Sequence, residues 1–418
     1  DLFHLEGAPA IANGKVFMGG GAAGVVCVEL DKATLDGKDV TQAEIAKLQD
    51  AKWKELQAKF EEAKKKAPDL AVPPTEDDLL KPAPKRVWQK GEKKWHADAP
   101  VCVAGDTVLA CTSFLDKEKV GERAIYCLRP DTGDTVWTQD LKLNPWGGAS
   151  VDGDTVVVTG STVGYYYAEI KGAKGDICAF DLAKGTPKWR KEIPTGGVVG
   201  CAAIADATVV ATATDGKVRA FALADGDKRW VYDAKGPVFA PPAVAGGVVY
   251  VGDLSGKIHA IDLKSGIGKV LIDLGTDPAV KAPGMVYGGV TVHGGKLFVG
   301  TCNLEGPNAR QATATVCIGV AEVAGVVHPR RDPDGGFGSP LGGERHGAER
   351  VAEDVACICN ESDVDCIQKW SVDFLIRCPG CCVHTGYRSG VAGIGSFIDR
   401  SLLQRIQEMR DRIFSVPR

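Results

Sequence analysis

The feature that most constrains this chain is a recurring glycine that is followed four residues later by tryptophan. The pairs are Gly91/Trp95, Gly133/Trp137, Gly185/Trp189 and Gly226/Trp230, and Gly266/Val270 continues the series with valine. Their spacing of 40 to 52 residues is the length of a four-stranded propeller blade. A repeat of this size cannot bury a core alone, so the chain must stack several copies.

The clearest copy of the repeat is Ala240–Leu274. It predicts short strands at Val248–Gly252, Lys257–Leu263 and Lys269–Leu274, with tight turns between them. Other copies begin with a Gly, Asn or Asp turn near residues 13, 105, 153, 206 and 294. The 52 glycines fit this pattern, because many hairpin turns require a positive φ. We therefore predict an all-β propeller of about six four-stranded blades, either complete or part of a seven- or eight-bladed ring.

The recurring tryptophans are best explained by packing between blades. Neighbouring small sheets must pack face to face, and a bulky side chain at a fixed strand position fills the space between them. We expect this structural role for Trp95, Trp137, Trp189 and Trp230. The segment Asp1–Gly7 is similar to the strand at the tryptophan position, and we expect it to complete the last blade.

A charged insertion, residues 32–90, interrupts the first repeat. Thr41 and Glu44 form a capping box, which predicts a helix over residues 42–67 that ends at Pro68. One face of the helix should dock, either on the propeller rim or on a partner protein. Its apolar residues at helical spacing are Ile45, Leu48, Leu56, Phe60 and Ala63.

Composition changes sharply near residue 320, which divides the chain into a propeller, residues 1–319, and a tail, residues 320–418. The tail contains one lysine, Lys369, and its Pro- and Gly-rich start is typical of a disordered linker. Residues 397–414 predict a C-terminal amphipathic helix. The tail is either a segment of separate origin or the product of a shifted reading frame.

Two places carry chemistry-bearing residues. In the tail, thiolates at short spacing are candidate zinc ligands, although their spacing is irregular; they are Cys357, Cys359, Cys378 and Cys381. In the last blade, a loop longer than the usual turn is a candidate binding surface; its polar residues are Asn303, Glu305, Asn308 and Arg310. No nucleophile or phosphate-binding motif stands out, and we expect His259 to be a partly exposed strand residue.

Other cysteines lie at small-residue positions of the repeat. Cys27, Cys127 and Cys317 occupy the place of alanine in sister repeats, which favours buried core thiols, with a disulfide network as the alternative. The net charge of −4 disfavours nucleic acid as a partner, and no apolar run is long enough to span a membrane. The chain starts at Asp1 with no signal segment in view, so either a leader has been removed or this is a fragment.

The repeat resembles a known family. The run VVYVGDLSGKIHAIDLKSG, with GDKRW and GTPKW in sister repeats, is similar to the pyrroloquinoline-quinone-type (PQQ-type) β-propeller repeat over residues 1–319. Some members are quinoprotein dehydrogenases that bind the quinone and calcium, while others are non-catalytic, such as an outer-membrane assembly lipoprotein. The enzymes place vicinal cysteines in the propeller, whereas the vicinal pair here, Cys381–Cys382, lies in the tail.

The resemblance therefore favours a non-enzymatic scaffold for protein–protein interaction or assembly, with no cofactor. It implies a periplasmic or extracellular location, and we expect a monomeric propeller that binds protein partners and not nucleic acid. The alternative is a quinoprotein-type oxidoreductase that binds pyrroloquinoline quinone and calcium.

Overall fold

Six antiparallel sheets follow one another along the chain. The structure, a computed structural model, describes residues 7–91, 95–163, 167–278, 280, 284–303 and 313–319. Sheets two to five have four strands each, paired in the order of the chain, and three strands of the sixth are described. The tail and the segment before Gly7, with the predictions that concern them, lie outside the described residues.

The strands are short, as the turn spacing predicts. Blade 1 contains β1 (Ala10–Ala12), β2 (Lys15–Gly19), β3 (Val25–Leu35), β4 (Lys38–Thr41) and β5 (Ala83–Lys90). Blade 2 contains β6 (Cys102–Ala104), β7 (Thr107–Leu115), β8 (Val120–Leu128) and β9 (Thr135–Asp140). Blade 3 contains β10 (Ala149–Asp152), β11 (Thr155–Ser161), β12 (Gly175–Asp181) and β13 (Pro187–Ile193). Blade 4 contains β14 (Ala203–Ala205), β15 (Thr208–Thr212), β16 (Lys217–Ala222) and β17 (Lys228–Asp233). Blade 5 contains β18 (Ala243–Ala245), β19 (Val248–Gly252), β20 (Lys257–Asp262) and β21 (Gly268–Asp273), and blade 6 contains β22 (Thr291–His293), β23 (Lys296–Gly300) and β24 (Thr315–Gly319).

The sheets are arranged radially. The first strands of successive blades contact one another in the order β1, β6, β10, β14, β18, β22, so these strands are innermost and each blade runs outward from them. Buried valine, isoleucine and alanine side chains fill the spaces between adjacent blades. The predicted β-propeller with a helical insertion in its first blade is confirmed.

An indole in the last strand of one blade fastens that blade to the next. Trp137 lies opposite Cys127 in blade 2, its ring lies against Gly185 of blade 3, and its Nε1 donates to the Leu182 carbonyl at 2.8 Å. We call this arrangement of ring, glycine and carbonyl the indole clamp. It recurs at three other interfaces, as Trp88 with Gly133 and Pro130, Trp189 with Gly226 and Leu223, and Trp230 with Gly266 and Leu263.

Two separate features of the clamp require glycine at this position. Gly185 has a φ of +70°, in the left-handed region that favours glycine. A Cβ atom built there would lie 2.5 Å from the Trp137 ring, closer than side-chain atoms can approach. The glycine and the tryptophan of one repeat therefore belong to two different interfaces. The glycine receives the indole of the preceding blade, and the tryptophan packs on the glycine of the next blade.

The structure assigns the first clamp to Trp88, not to Trp95. Trp88 lies on β5 opposite Cys27, in the register that Trp137 has with Cys127. Trp95 is also buried between blades 1 and 2, where its ring packs against Tyr126 with centroids 4.0 Å apart. The insertion is correspondingly shorter than predicted, because its last residues, Ala83–Lys90, form a strand of the blade.

The series of glycine–tryptophan pairs also changes at blade 5, where Val270 replaces tryptophan. The β-bulge falls between Ile258 and His259, earlier along the strand than in blades 3 and 4, so Lys269 takes the position opposite Ala260. Val270 is consequently half-exposed and packs no neighbouring blade as tryptophan does. In the part of the chain that the structure describes, the interface between blades 5 and 6 is filled by aliphatic side chains and Tyr250 instead.

The helix α1 spans Gln42–Lys66 and begins at the predicted capping box. Glu44 N donates to Thr41 Oγ1 at 3.3 Å, and Thr41 N donates to Glu44 Oε2 at 2.7 Å. Short 3-10 turns follow at Pro68–Leu70 and Glu76–Asp78 before the chain enters β5. None of the residues of α1 is buried. We call the segment that contains this helix, residues 36–82, the arm.

We predict that Gly185→Ala destabilises the protein more than Gly153→Ala. Both glycines lie in turns of blade 3 with positive φ, but only Gly185 faces an indole, whereas a Cβ on Gly153 meets nothing within 4 Å. Backbone strain is common to both variants, and Gly185→Ala adds overpacking of about 1–3 kcal/mol. Urea unfolding of the two variants measures the difference. Equal losses of unfolding free energy would show that packing of the indole on Gly185 does not contribute to stability.

Candidate functional site

Loops at one end of the blades bring apolar side chains together. In each of blades 3 to 6, one such side chain lies six residues before the end of the first strand. In chain order they are Trp146, Val199, Phe239 and Tyr287. They pack in one cluster, and the Phe239 and Tyr287 rings meet edge to face with centroids 5.0 Å apart. The four residues are therefore equivalent positions in the loops of four successive blades. We call this set of residues the loop cluster.

The cluster extends outward into neighbouring loops. Val163, Leu254 and Met285 are buried within it, and Tyr167 and Ile170 are half-buried at its edge. The β23–β24 loop begins at the same face, because Met285 and Cys302 exchange backbone hydrogen bonds of 3.0 and 2.8 Å. Asn303 follows and is buried, while the other predicted residues of that binding loop, Glu305, Asn308 and Arg310, lie outside the described residues.

A buried acid and histidine occupy the corresponding loop of blade 2. Asp98 takes the position that Trp146 has in blade 3, and its Oδ2 lies 2.7 Å from Nδ1 of His96. Ser113 is adjacent, since its backbone N donates to the His96 carbonyl at 2.8 Å. These are the residue types of a nucleophilic site. Because His96 and Ser113 are 1% exposed and Asp98 is 4% exposed, we assign them a structural role.

A second buried histidine links two blades. His259 lies between Tyr232 of blade 4, whose hydroxyl is 3.0 Å from Nδ1, and Asp253 of its own blade, whose Oδ2 is 3.1 Å from Nε2. The expectation that His259 is partly exposed was wrong, because the side chain is 1% exposed and faces the preceding blade. The imidazole bridges a phenol and a carboxylate, so it joins blades 4 and 5 by polar contacts beside the Trp230 clamp.

The cysteines that the structure describes are all free thiols. Cys27 and Cys127 are fully buried, as the repeat alignment predicts, and Cys317 is half-buried. Burial raises the pKa of Cys27 and Cys178 to about 12 and that of Cys127 to about 11. Among the described residues, no group of three or more His, Cys, Asp or Glu could hold a metal ion. The zinc candidates Cys357, Cys359, Cys378 and Cys381 lie outside those residues.

The arm is the other prominent surface. Gln49 of α1 binds the return segment through both ends of its amide, donating to the Leu80 carbonyl at 2.7 Å and accepting from Leu80 N at 3.0 Å. Ile45, Trp53, Leu56 and Phe60 form a half-buried stripe, so the predicted docking of one helix face is partial. Beyond the helix, Leu70 and Val72 are each 81% exposed, more than any other large apolar side chain in the described residues.

Part of the repeat region matches a family of known proteins. Residues 121–270 match the family model described as outer membrane protein assembly factor BamB. No curated protein matches the chain. No helix of the described residues is long and apolar enough to cross a membrane.

Three solved structures are similar over most of their length. BamB from Moraxella catarrhalis is 15% identical with a TM-score of 0.37, covering 71% of this chain and 80% of that chain. Europium-containing methanol dehydrogenase is 11% identical with a TM-score of 0.47, covering 77% and 70%. The computationally designed protein Ika8 is 11% identical with a TM-score of 0.45, covering 75% and 72%.

We predict that native-state alkylation separates the thiols by burial. Cys27, Cys102, Cys111, Cys127, Cys178 and Cys201 are buried, while Cys302 and Cys317 are half-buried. At pH 8 the buried thiols whose pKa is about 11 to 12 carry almost no thiolate, the reactive form. Iodoacetamide followed by peptide mass spectrometry should therefore modify Cys302 and Cys317 first and the buried set only in urea. Rapid native labelling of Cys27 or Cys178 would contradict the buried arrangement.

Proposed function

We propose that this protein, whose repeats are of the PQQ type, is a non-enzymatic scaffold for protein assembly outside the cytoplasm. The arm carries this proposal. A 25-residue helix without a buried residue adds little to the propeller core, yet it is capped, hydrogen-bonded to the return segment and followed by two exposed aliphatic side chains. Exposed apolar side chains on an ordered projection are typical of a surface that binds another protein.

The loop cluster supports the same proposal. On the loop face, Phe239 and Met285 are 2% and 0% exposed and are packed with Trp146 and Tyr287, so these loops are held in a fixed arrangement. The family match over residues 121–270 adds support, since the family description is that of an assembly factor. A location in the periplasm or outside the cell is part of the proposal.

The proposal includes neither pyrroloquinoline quinone nor calcium. A calcium ion requires several oxygen ligands, and no group of three or more His, Cys, Asp or Glu in the described part of the chain is arranged for a metal. On the loop face, Trp146 packs with apolar side chains that include Phe239 and Met285.

We predict that incubation with pyrroloquinoline quinone and calcium gives no bound chromophore after desalting. Absorbance spectra and a dye-linked alcohol oxidation assay measure the outcome, with a quinoprotein dehydrogenase as the positive control. A stoichiometric chromophore together with dye reduction would establish the oxidoreductase instead and end the scaffold proposal.

We predict that the arm can be removed without loss of the propeller. The register places Leu30 and Arg86 of blade 1 where blade 3 has Leu182 and Pro187, so Asp31–Lys85 can be replaced by the Ala183–Thr186 turn. The shortened protein should keep its β circular dichroism and its cooperative unfolding. Loss of the folded state would mean that the arm is a core element, against the proposal.

The arm's interaction is tested in the full chain with a photo-crosslinking residue at Leu70. The matched control carries the same residue at Ile267, which is 64% exposed in a turn of blade 5. We expect protein adducts in the source cell at Leu70 that are weaker or lacking at Ile267. Equal adduct patterns at both positions, or none, would contradict a specific role for the arm.

A further inference from the structure

We draw no further inference here: the strongest candidate, the exposed apolar patch that Leu70 and Val72 form on the arm just after α1, carries none, because nothing in the structure shows what covers it.

Discussion

The indole clamp is the interaction on which the rest of the architecture depends. A blade of four short strands buries little surface by itself, so its stability comes from the neighbours on either side. The clamp makes that dependence specific, because the ring of Trp137 needs the bare backbone of Gly185 and its N–H needs the Leu182 carbonyl. A buried indole N–H without an acceptor would cost about 1–3 kcal/mol, so shape and hydrogen bonding select the same relative position of the blades.

The distribution of clamps explains where the propeller tolerates variation. Four consecutive interfaces, from blade 1 to blade 5, have a clamp. In blades 2 to 5, the turn before the last strand supplies the clamp glycine, and in blade 1 the arm replaces this turn. Among the described residues, no indole packs against that position of blade 1. An elaboration at this point disturbs no indole contact of the part of the chain that the structure describes, and the propeller carries a large projection there.

Much of the fold could be predicted from the sequence, and the errors have local causes. The six sheets of the described residues and the start of α1 follow from turn spacing and the capping box at Thr41. Trp88 was missed because Pro84 stands where the other repeats have glycine, and Val270 was misplaced because a shifted bulge moves its strand by one position. The loop cluster was not predicted, because Trp146 and Tyr287 are distant in sequence. Counting back from the first strand of each blade would have aligned them.

The clamp also has a consequence for how such a molecule can change size. Every clamp involves two adjacent blades only, and the accepting groups of blades 3, 4 and 5 are equivalent: a leucine carbonyl and a glycine with φ near +70°. The indole of Trp137 would find the same cradle on blade 4 as it finds on blade 3. Duplication or excision of a whole blade therefore regenerates a native junction, and tandem gene rearrangement can lengthen or shorten the array without inventing a new interface.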